Sequence, residues 1–322
     1  WTETPIDGFP GFKVHPLYDD FSTPTFDTRH NIFKGGSWIS TGNEATPFSR
    51  YAFRRHFFQH AGLRVIESEA TVEVREDIYE TDDLVSQYCE FHFGDEYYGV
   101  PNFPKAAAEI CGELMKGRTC RRALDLGCAT GRSTFELGRF SDHVTGIDFS
   151  ARFIRVGHDM QKNGRIRYAI PSEGKLVSYH EKTIDQFGLA DTLEKVEFWQ
   201  GDAHNLKPQF KDYDLVLACN LIDRLYNPAL FLKHITERIN KGGLLVIMSP
   251  YTWLEEFTPA ENWLGGRKVD GENQTTLDGL GKELEPGFRM IGEPRDVPFV
   301  IRETARKYQH TLSQMSVWEK LI

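Results

Sequence analysis

The stretch Ala123-Leu124-Asp125-Leu126-Gly127-Cys128-Ala129-Thr130-Gly131 decides the fold. Its short apolar run reads as a buried strand, and the two glycines that follow read as a sharp turn opening a helix over Ser133 to Phe140. Glycine at 127 and 131 lets the backbone turn tightly and lets a ligand approach the main chain where a side chain would collide with it. Such a turn suits a nucleotide cofactor. The dinucleotide fingerprint Gly-x-Gly-x-x-Gly is absent, because Ala129 and Arg132 stand where its second and third glycines belong, and this counts against NAD and FAD.

Outward from this turn, short apolar strands alternate with amphipathic helices, the signature of a doubly wound, mostly parallel sheet. The pattern predicts a helix over Lys105 to Met115 and strands at Ala123 to Leu126 and Val144 to Ile147, with a helix over Ala151 to Gln161 next. A hairpin insertion is expected, Ile166 to Ile170 and Leu176 to His180 about a Pro171-Ser172-Glu173-Gly174 turn. A helix over Lys182 to Leu189, strands at Val196 to Trp199 and Leu215 to Ala218, a helix over Ala229 to Ile239 and a strand at Leu244 to Met248 continue the series. A helix over Leu277 to Leu284 precedes two paired closing strands, Phe288 to Ile301 and Tyr308 to Trp318. Residues 1–66 are rich in aromatics, Gly and Pro, with little helical periodicity before Phe48 to His60. A strand-like alternation at Ile66 to Val74 and a helical spacing from Tyr79 to Phe93 place a domain boundary between 78 and 79.

A charge of −9 from 38 basic and 47 acidic residues, with no long Lys/Arg run, gives no footprint for nucleic acid or an anionic membrane. No window approaches the length of a spanning helix and no signal peptide is visible, so a cytoplasmic protein is expected. Five cysteines without a Cys-x-x-Cys pair fit reduced thiols and offer no zinc site. A start at Trp1 within an aromatic run suggests a piece of a longer polypeptide.

The turn after Leu126 resembles motif I of class I S-adenosylmethionine-dependent methyltransferases, which implies a Rossmann-like, seven-stranded, mostly parallel sheet with an antiparallel closing strand. Two further signals follow in the order of that family: Asp148 at the end of the next strand, where a carboxylate accepts both ribose hydroxyls, and Gly201-Asp202-Ala203 after the third, where members hold the adenine amine. The resemblance implies that Asp125 faces the methionine amine, and that Gly127, Ala129, Gly131, Phe149, Ala203 and Asn220 complete the set for S-adenosylmethionine and its product S-adenosylhomocysteine.

Along nearly its whole length the chain also resembles the ovothiol-forming enzymes, in which an iron sulfoxide synthase precedes a methyltransferase. The matching stretches are GGSWISTGNEAT (35–46), RRHFFQHAG (54–62), FHFG (91–94), GVPNFPK (99–105), NLIDRLY (220–226) and SPYTW (249–253). The likeness implies that residues 1–78 are the end of a formylglycine-generating-enzyme-like domain and that residues 79–322 form the methyltransferase. That family's iron motif is His-x-x-x-His-x-Glu; His56 and His60 keep the spacing, but Gly62 replaces the glutamate, so no metal is expected.

The implied acceptor is 5-thiohistidine, methylated on the ring nitrogen nearer its side chain to give ovothiol A, with the upstream synthase domain as partner. In an open sheet the acceptor lies beyond the carboxyl ends of the strands, among Asn220 to Tyr226, Pro250 to Trp253, Arg302 to His310 and a lid at Tyr97 and Tyr98. Arg224, Arg302 and Arg306 are candidates for its carboxylate, Asn220, Tyr97, Tyr98, Tyr251 and Trp253 for its ring, and Asp223 or Glu303 for its amine or ring proton. Each has an alternative as a surface ion pair or core ring. A methyltransferase for another small amino acid or imidazole, and a non-catalytic scaffold, remain as rival readings.

Overall fold

A computed structural model describes residues 31–35, 41–42, 46, 49–53, 79 and 81–321, apart from 270 and 286. Strands β1 (Asn31–Lys34) and β2 (Arg50–Phe53) form an antiparallel pair. The strand at 50–53 replaces the helical reading of 48–60 where the two overlap; the rest of that stretch, the 66–74 alternation, His56 and His60 lie outside the described residues.

Helices α1 (Asp82–Phe93) and α2 (Phe103–Leu114) lead into the α/β series. Both begin where the chain supplies a cap: Thr81 accepts from Leu84 N–H, and Asn102 accepts from Lys105 N–H ahead of Pro104. Then come β3 (Arg122–Leu126), α3 (Arg132–Leu137), β4 (His143–Asp148) and α4 (Ala151–Asn163). The hairpin β5 (Arg165–Glu173) and β6 (Leu176–Thr183) precedes β7 (Val196–Gln200), β8 (Tyr213–Cys219), α5 (Pro228–Thr236) and β9 (Ile239–Ser249). A small pair, β10 (Arg267–Val269) and β11 (Glu272–Gln274), leads to α6 (Thr276–Leu284) and the closing strands β12 (Phe288–Met290), β13 (Arg295–Arg302) and β14 (Tyr308–Lys320).

The main sheet runs β12-β14-β9-β8-β3-β4-β7, with β13 also paired to β14. Strands β3, β4, β7, β8 and β9 are parallel, and β14 lies antiparallel to β9. This is the Rossmann-like sheet that the glycine turn implied, with one strand more than expected. The Phe288 to Ile301 run breaks at Gly292 (φ 68°), so two pieces zip onto successive parts of β14.

Period-2 patterning explains why the central strands read as unbroken apolar runs. Ala123, Leu215, Leu217 and Val246 pack on the face covered by α1 to α4, while Leu124, Leu126, Val216 and Leu245 pack on the face covered by α5 and α6. The expected helix over 182–189 is instead the end of β6 followed by a 3-10 turn at Ile184–Phe187, because Lys182 and Thr183 pair across to Ile166 and Arg165. The hairpin turns at Gly174 (φ 57°), so Pro171 to Glu173 stays in the strand beside a register irregularity. Helix α5 stops at Thr236, short of Ile239, which opens β9.

Candidate methyl-transfer site

From β3 the chain winds through β4 to β7 on one side and then returns through β8 and β9 on the other, so a crevice opens where the order reverses. A cavity of about 400 Å³ lies there. The turns after β3, β4 and β7 form one side of it, and the loops after β8 and β9 form the other. Helix α1 contributes Leu84, Gln87, Tyr88, Phe91 and His92, and the closing strands contribute Phe299, Ile301, Gln309 and Thr311.

The turn after β3 is bent through Gly127 (φ 75°), Ala129 (φ 45°) and Gly131 (φ 95°). A side chain at 131 would place Cβ 2.5 Å from the Phe198 ring, so glycine there serves close packing as well as backbone conformation. Gly127 and Cys128 N–H both donate to the Ile147 carbonyl, at 2.8 and 3.1 Å. Ala129 N–H donates to Asp148 Oδ2 at 2.9 Å, while Oδ1 accepts from Ser150 N–H at 2.8 Å. Asp148 and Phe149 line the cavity.

Asp125 does not line it. The carboxylate is 1% exposed, and Oδ2 accepts from Ser133 Oγ (2.6 Å) and Thr134 Oγ1 (2.7 Å), stitching β3 to the first turn of α3. Burial pushes its pKa up to about 6, opposed by those two hydroxyls. Asp202, Ala203 and Asn220 all reach the cavity. Asp202 Oδ1 accepts from His204 N–H (2.9 Å) and faces His204 Nδ1 (3.1 Å), and its Oδ2 makes no hydrogen bond among the described residues. The His204 ring stacks on Tyr226 with centroids 3.7 Å apart. Asn220 (φ 50°) takes Ser313 Oγ–H on its Oδ1 at 2.6 Å.

Of the other side chains named as candidates for the acceptor, only Arg224 lines the cavity, although Leu221, Leu225, Tyr226, Pro250, Thr252 and Gln309 of the expected segments do so too. Its Nη1 donates to the Asp223 carbonyl, Asp223 Oδ2 and the Thr252 carbonyl, each at 2.9 Å, and Nη2 reaches Thr252 Oγ1 at 3.2 Å. Asp223 is wholly buried behind it, and its Oδ2 also accepts from Thr252 N–H and Oγ1–H, each at 3.1 Å. Tyr251 packs into the core, where burial pushes its pKa up to about 12. Trp253 stacks on Trp263 and donates to Thr276 Oγ1.

Arg302, Arg306, Glu303, Tyr97 and Tyr98 all sit outside the cavity lining. Glu303 pairs with Lys307 and Gln309, which hold its carboxyl below the usual range. Arg306 forms an exposed pair with Glu173, and Tyr98 meets Tyr308 edge to face at the surface. Arg302 and Tyr97 instead converge on buried Glu90: Arg302 Nη1 and the Tyr97 hydroxyl donate to Oε1, and Tyr168 OH donates to Oε2 at 2.6 Å. That cluster joins the face of α1 opposite the cavity to the hairpin and to β13.

Sequence reasoning missed Tyr88 and His92. Their signal is the spacing 84, 88, 91 and 92, which sets one side of α1 toward a common neighbour; in the sequence, the helical spacing of Tyr79 to Phe93 served only to place a helix and a domain boundary. Tyr88 packs against Phe153 with ring centroids 4.7 Å apart and the planes tilted by 32°, and burial beside Tyr79 and Asp148 holds its phenol proton firmly on. Gln309 falls within the Arg302 to His310 segment expected near the acceptor, and Thr311, two positions on along the same strand face, lies just past it.

A methyltransferase-domain model matches residues 102–279, which include the glycine turn, Asp148, Asp202 and Arg224. The chain belongs to the methyltransferase-domain family. It is similar to the ubiquinone biosynthesis O-methyltransferase of Azorhizobium caulinodans, 23% identical over 139 residues, or 43% of this chain and 44% of that one. The methyltransferase thus spans less than half the length of that curated relative. Among solved structures it is similar to the N-methyltransferase NodS of Bradyrhizobium japonicum WM9 in complex with S-adenosyl-L-homocysteine (13% identity, 74% of this chain, 99% of that chain, TM-score 0.44). It is also similar to an S-adenosylmethionine-dependent methyltransferase of Methanosarcina mazei (17% identity, 65% and 97%, TM-score 0.40). The matched residues carry the family's methyltransferase domain.

Two outcomes follow from this geometry. Asp148→Ala is expected to weaken S-adenosylmethionine binding roughly 10- to 150-fold, the worth of charge-assisted hydrogen bonds to a diol, as read by titration calorimetry; an unchanged dissociation constant rejects the ribose assignment. The second concerns Asp125. With a folded pKa of about 6 against 3.8 in the unfolded chain, the native state holds the proton more tightly, so this group's stabilising contribution is full below pH about 4 and is lost as pH rises toward 6. Asp125→Asn keeps the acceptor for both hydroxyls and is expected to remove that slope from urea unfolding measured between pH 4 and 7.

Proposed function

We propose that the enzyme transfers the methyl group of S-adenosylmethionine to the imidazole nitrogen of 5-thiohistidine nearer the side chain, giving ovothiol A. One observation carries this reading. The cavity joins the glycine turn, Asp148 and Asp202 on one side to a single guanidinium, Arg224, on the other, at a volume suited to a cofactor tail and a small amino acid. The stretches shared with ovothiol-forming enzymes support the choice of acceptor, and Asn220 and Arg224 both lie within one of them.

The residues present fit the methyl donor: a carboxylate at the end of β4 for the ribose hydroxyls, the uncommitted Oδ2 of Asp202 for the adenine amine, and rings at Phe149 and Phe153 beside them. When bound, S-adenosylmethionine supplies an electrophilic methyl group on a sulfonium. In-line displacement requires an acceptor lone pair about 3 Å from that carbon, so most of what the chain does is positioning.

Arg224 is built for it. Asp223 and Thr252 engage Nη1 and one Nη2 hydrogen, and the Nε–H makes no hydrogen bond among the described residues, which leaves an Nε/Nη2 edge to take a carboxylate bidentately. Asp223 thereby acts as a positioning residue for Arg224. Asp148 and Asp202 are the only carboxylates in the described lining, and both belong to the donor side. The ring proton of the product therefore leaves to solvent, helped by the negative charge that the substrate's own sulfur carries.

We further propose that residues 1–78 derive from a formylglycine-generating-enzyme-like domain, that residues 79–322 are the transferase unit, and that an upstream sulfoxide synthase domain of the same polypeptide is its partner in the cytoplasm. The cap at Thr81 and the start of the family match at residue 102 support the boundary.

Mass spectrometry of products from 5-thiohistidine, histidine and a phenolic acceptor is expected to show a singly methylated ring nitrogen with the first and little product with the others; preference for the phenol overturns the reading. Asp223→Asn is expected to raise the acceptor KM roughly tenfold or more, with the pH profile of kcat unchanged. A lowered kcat with a shifted profile would instead make Asp223 the proton acceptor.

A further inference from the structure

The placement of the methyl donor proposed above leaves one of its charged groups unassigned, and the following rests on that placement. With ribose at Asp148 on β4 and adenine at Asp202 on β7, strand order puts the amino-acid tail at the turn after β3. That tail ends in a carboxylate. The cation nearest the turn in sequence, Arg132, is committed elsewhere: its Nε and Nη2 both hold Glu136 Oε1 at 2.8 Å, and the guanidinium lies 4.0 Å from the centre of the Phe187 ring. Arg224 is the only Lys or Arg in the described lining, and it belongs to the β8 side.

His92 occupies the space that Arg132 leaves. Its Nδ1 accepts the Arg132 backbone N–H at 3.2 Å, which puts the ring proton on Nε2. Nε2 has no hydrogen-bond partner among the described residues, and His92 is among the residues that line the cavity. The residue is 5% exposed, and its carbonyl is gripped by Asn102 Nδ2 at 3.1 Å, so the donor is held in one position. Burial, with the Arg132 charge second, pushes the His92 pKa down to about 3, which keeps the ring neutral. A neutral donor suits this spot: it satisfies a carboxylate without adding positive charge beside a sulfonium and an ammonium.

We propose that His92 Nε2–H donates to the α-carboxylate of S-adenosylmethionine. The test compares calorimetric affinities for S-adenosylmethionine and its decarboxylated analogue in wild type, His92→Phe and His92→Gln. Wild type should prefer the carboxylated form. His92→Phe should lose roughly tenfold or more on S-adenosylmethionine while holding the analogue within twofold, and His92→Gln, which keeps a side-chain N–H, should recover part of the loss. Equal losses on both ligands would make His92 merely structural and overturn the proposal. Unchanged donor affinity with a raised acceptor KM would overturn it too, by giving the contact to the acceptor's carboxylate.

Failure of Asp148→Ala to weaken either ligand would remove the donor placement itself, whereas the His92 comparison addresses the tail alone. Should the Phe variant not fold, ¹⁵N spectra of the wild-type ring decide: an Nε2-protonated tautomer whose Nε2 resonance moves with S-adenosylmethionine but not with the analogue supports the contact, and equal shifts contradict it.

Discussion

The bond from Ala129 N–H to Asp148 Oδ2 fixes the geometry on which the site depends. It pins a turn that runs through three left-handed residues to the end of the neighbouring strand, while the Ile147 carbonyl takes the two amides before it. Left-handed backbone costs free energy at Ala129, and the surrounding hydrogen bonds hold it there. Because the turn and Asp148 brace each other, this side of the cavity is held in shape by the sheet itself. Asp125 contributes from below: it faces the hydroxyls of α3, not the ligand, and so sets the angle at which the helix leaves the turn.

The roof of the cavity is made differently. It depends on α1, which carries cavity residues on one face and Glu90 on the other. A buried carboxylate is tolerated only when its oxygens are engaged, and Tyr168, Tyr97 and Arg302 engage both. The inserted hairpin and β13 therefore hold the roof helix in place over the cavity. Arg302 and Tyr97 bear on the cavity through this clamp and are not part of its lining.

The side of the cavity formed by the glycine turn, Asp148 and Asp202 was legible in the sequence because its parts are local. Glycine turns and acids at strand ends are written in consecutive residues, and the period of the apolar runs places them on one sheet. The acceptor side was legible only as a set of loops. Whether an arginine in such a loop faces the cavity is decided by partners far along the chain: Thr252 for Arg224, Glu90 for Arg302, Glu173 for Arg306. His92 was quoted within a family stretch, yet its tautomer depends on the amide of residue 132, forty positions away. The helix expected at 182–189 failed for the same reason, since cross-strand pairing to Arg165 and Ile166 outweighed a local helical spacing.

The central claim is that one cavity holds a methyl donor along the β3, β4 and β7 ends and a small amino acid against Arg224. A crystal structure of the enzyme with S-adenosylhomocysteine and 5-thiohistidine tests it most directly. The account predicts ribose hydroxyls on Asp148, the adenine amine on Asp202, the acceptor carboxylate on the Nε/Nη2 edge of Arg224, and the ring nitrogen facing the cofactor sulfur. A nucleoside bound away from Asp148 and Asp202, or an acceptor seated outside this cavity, would contradict it.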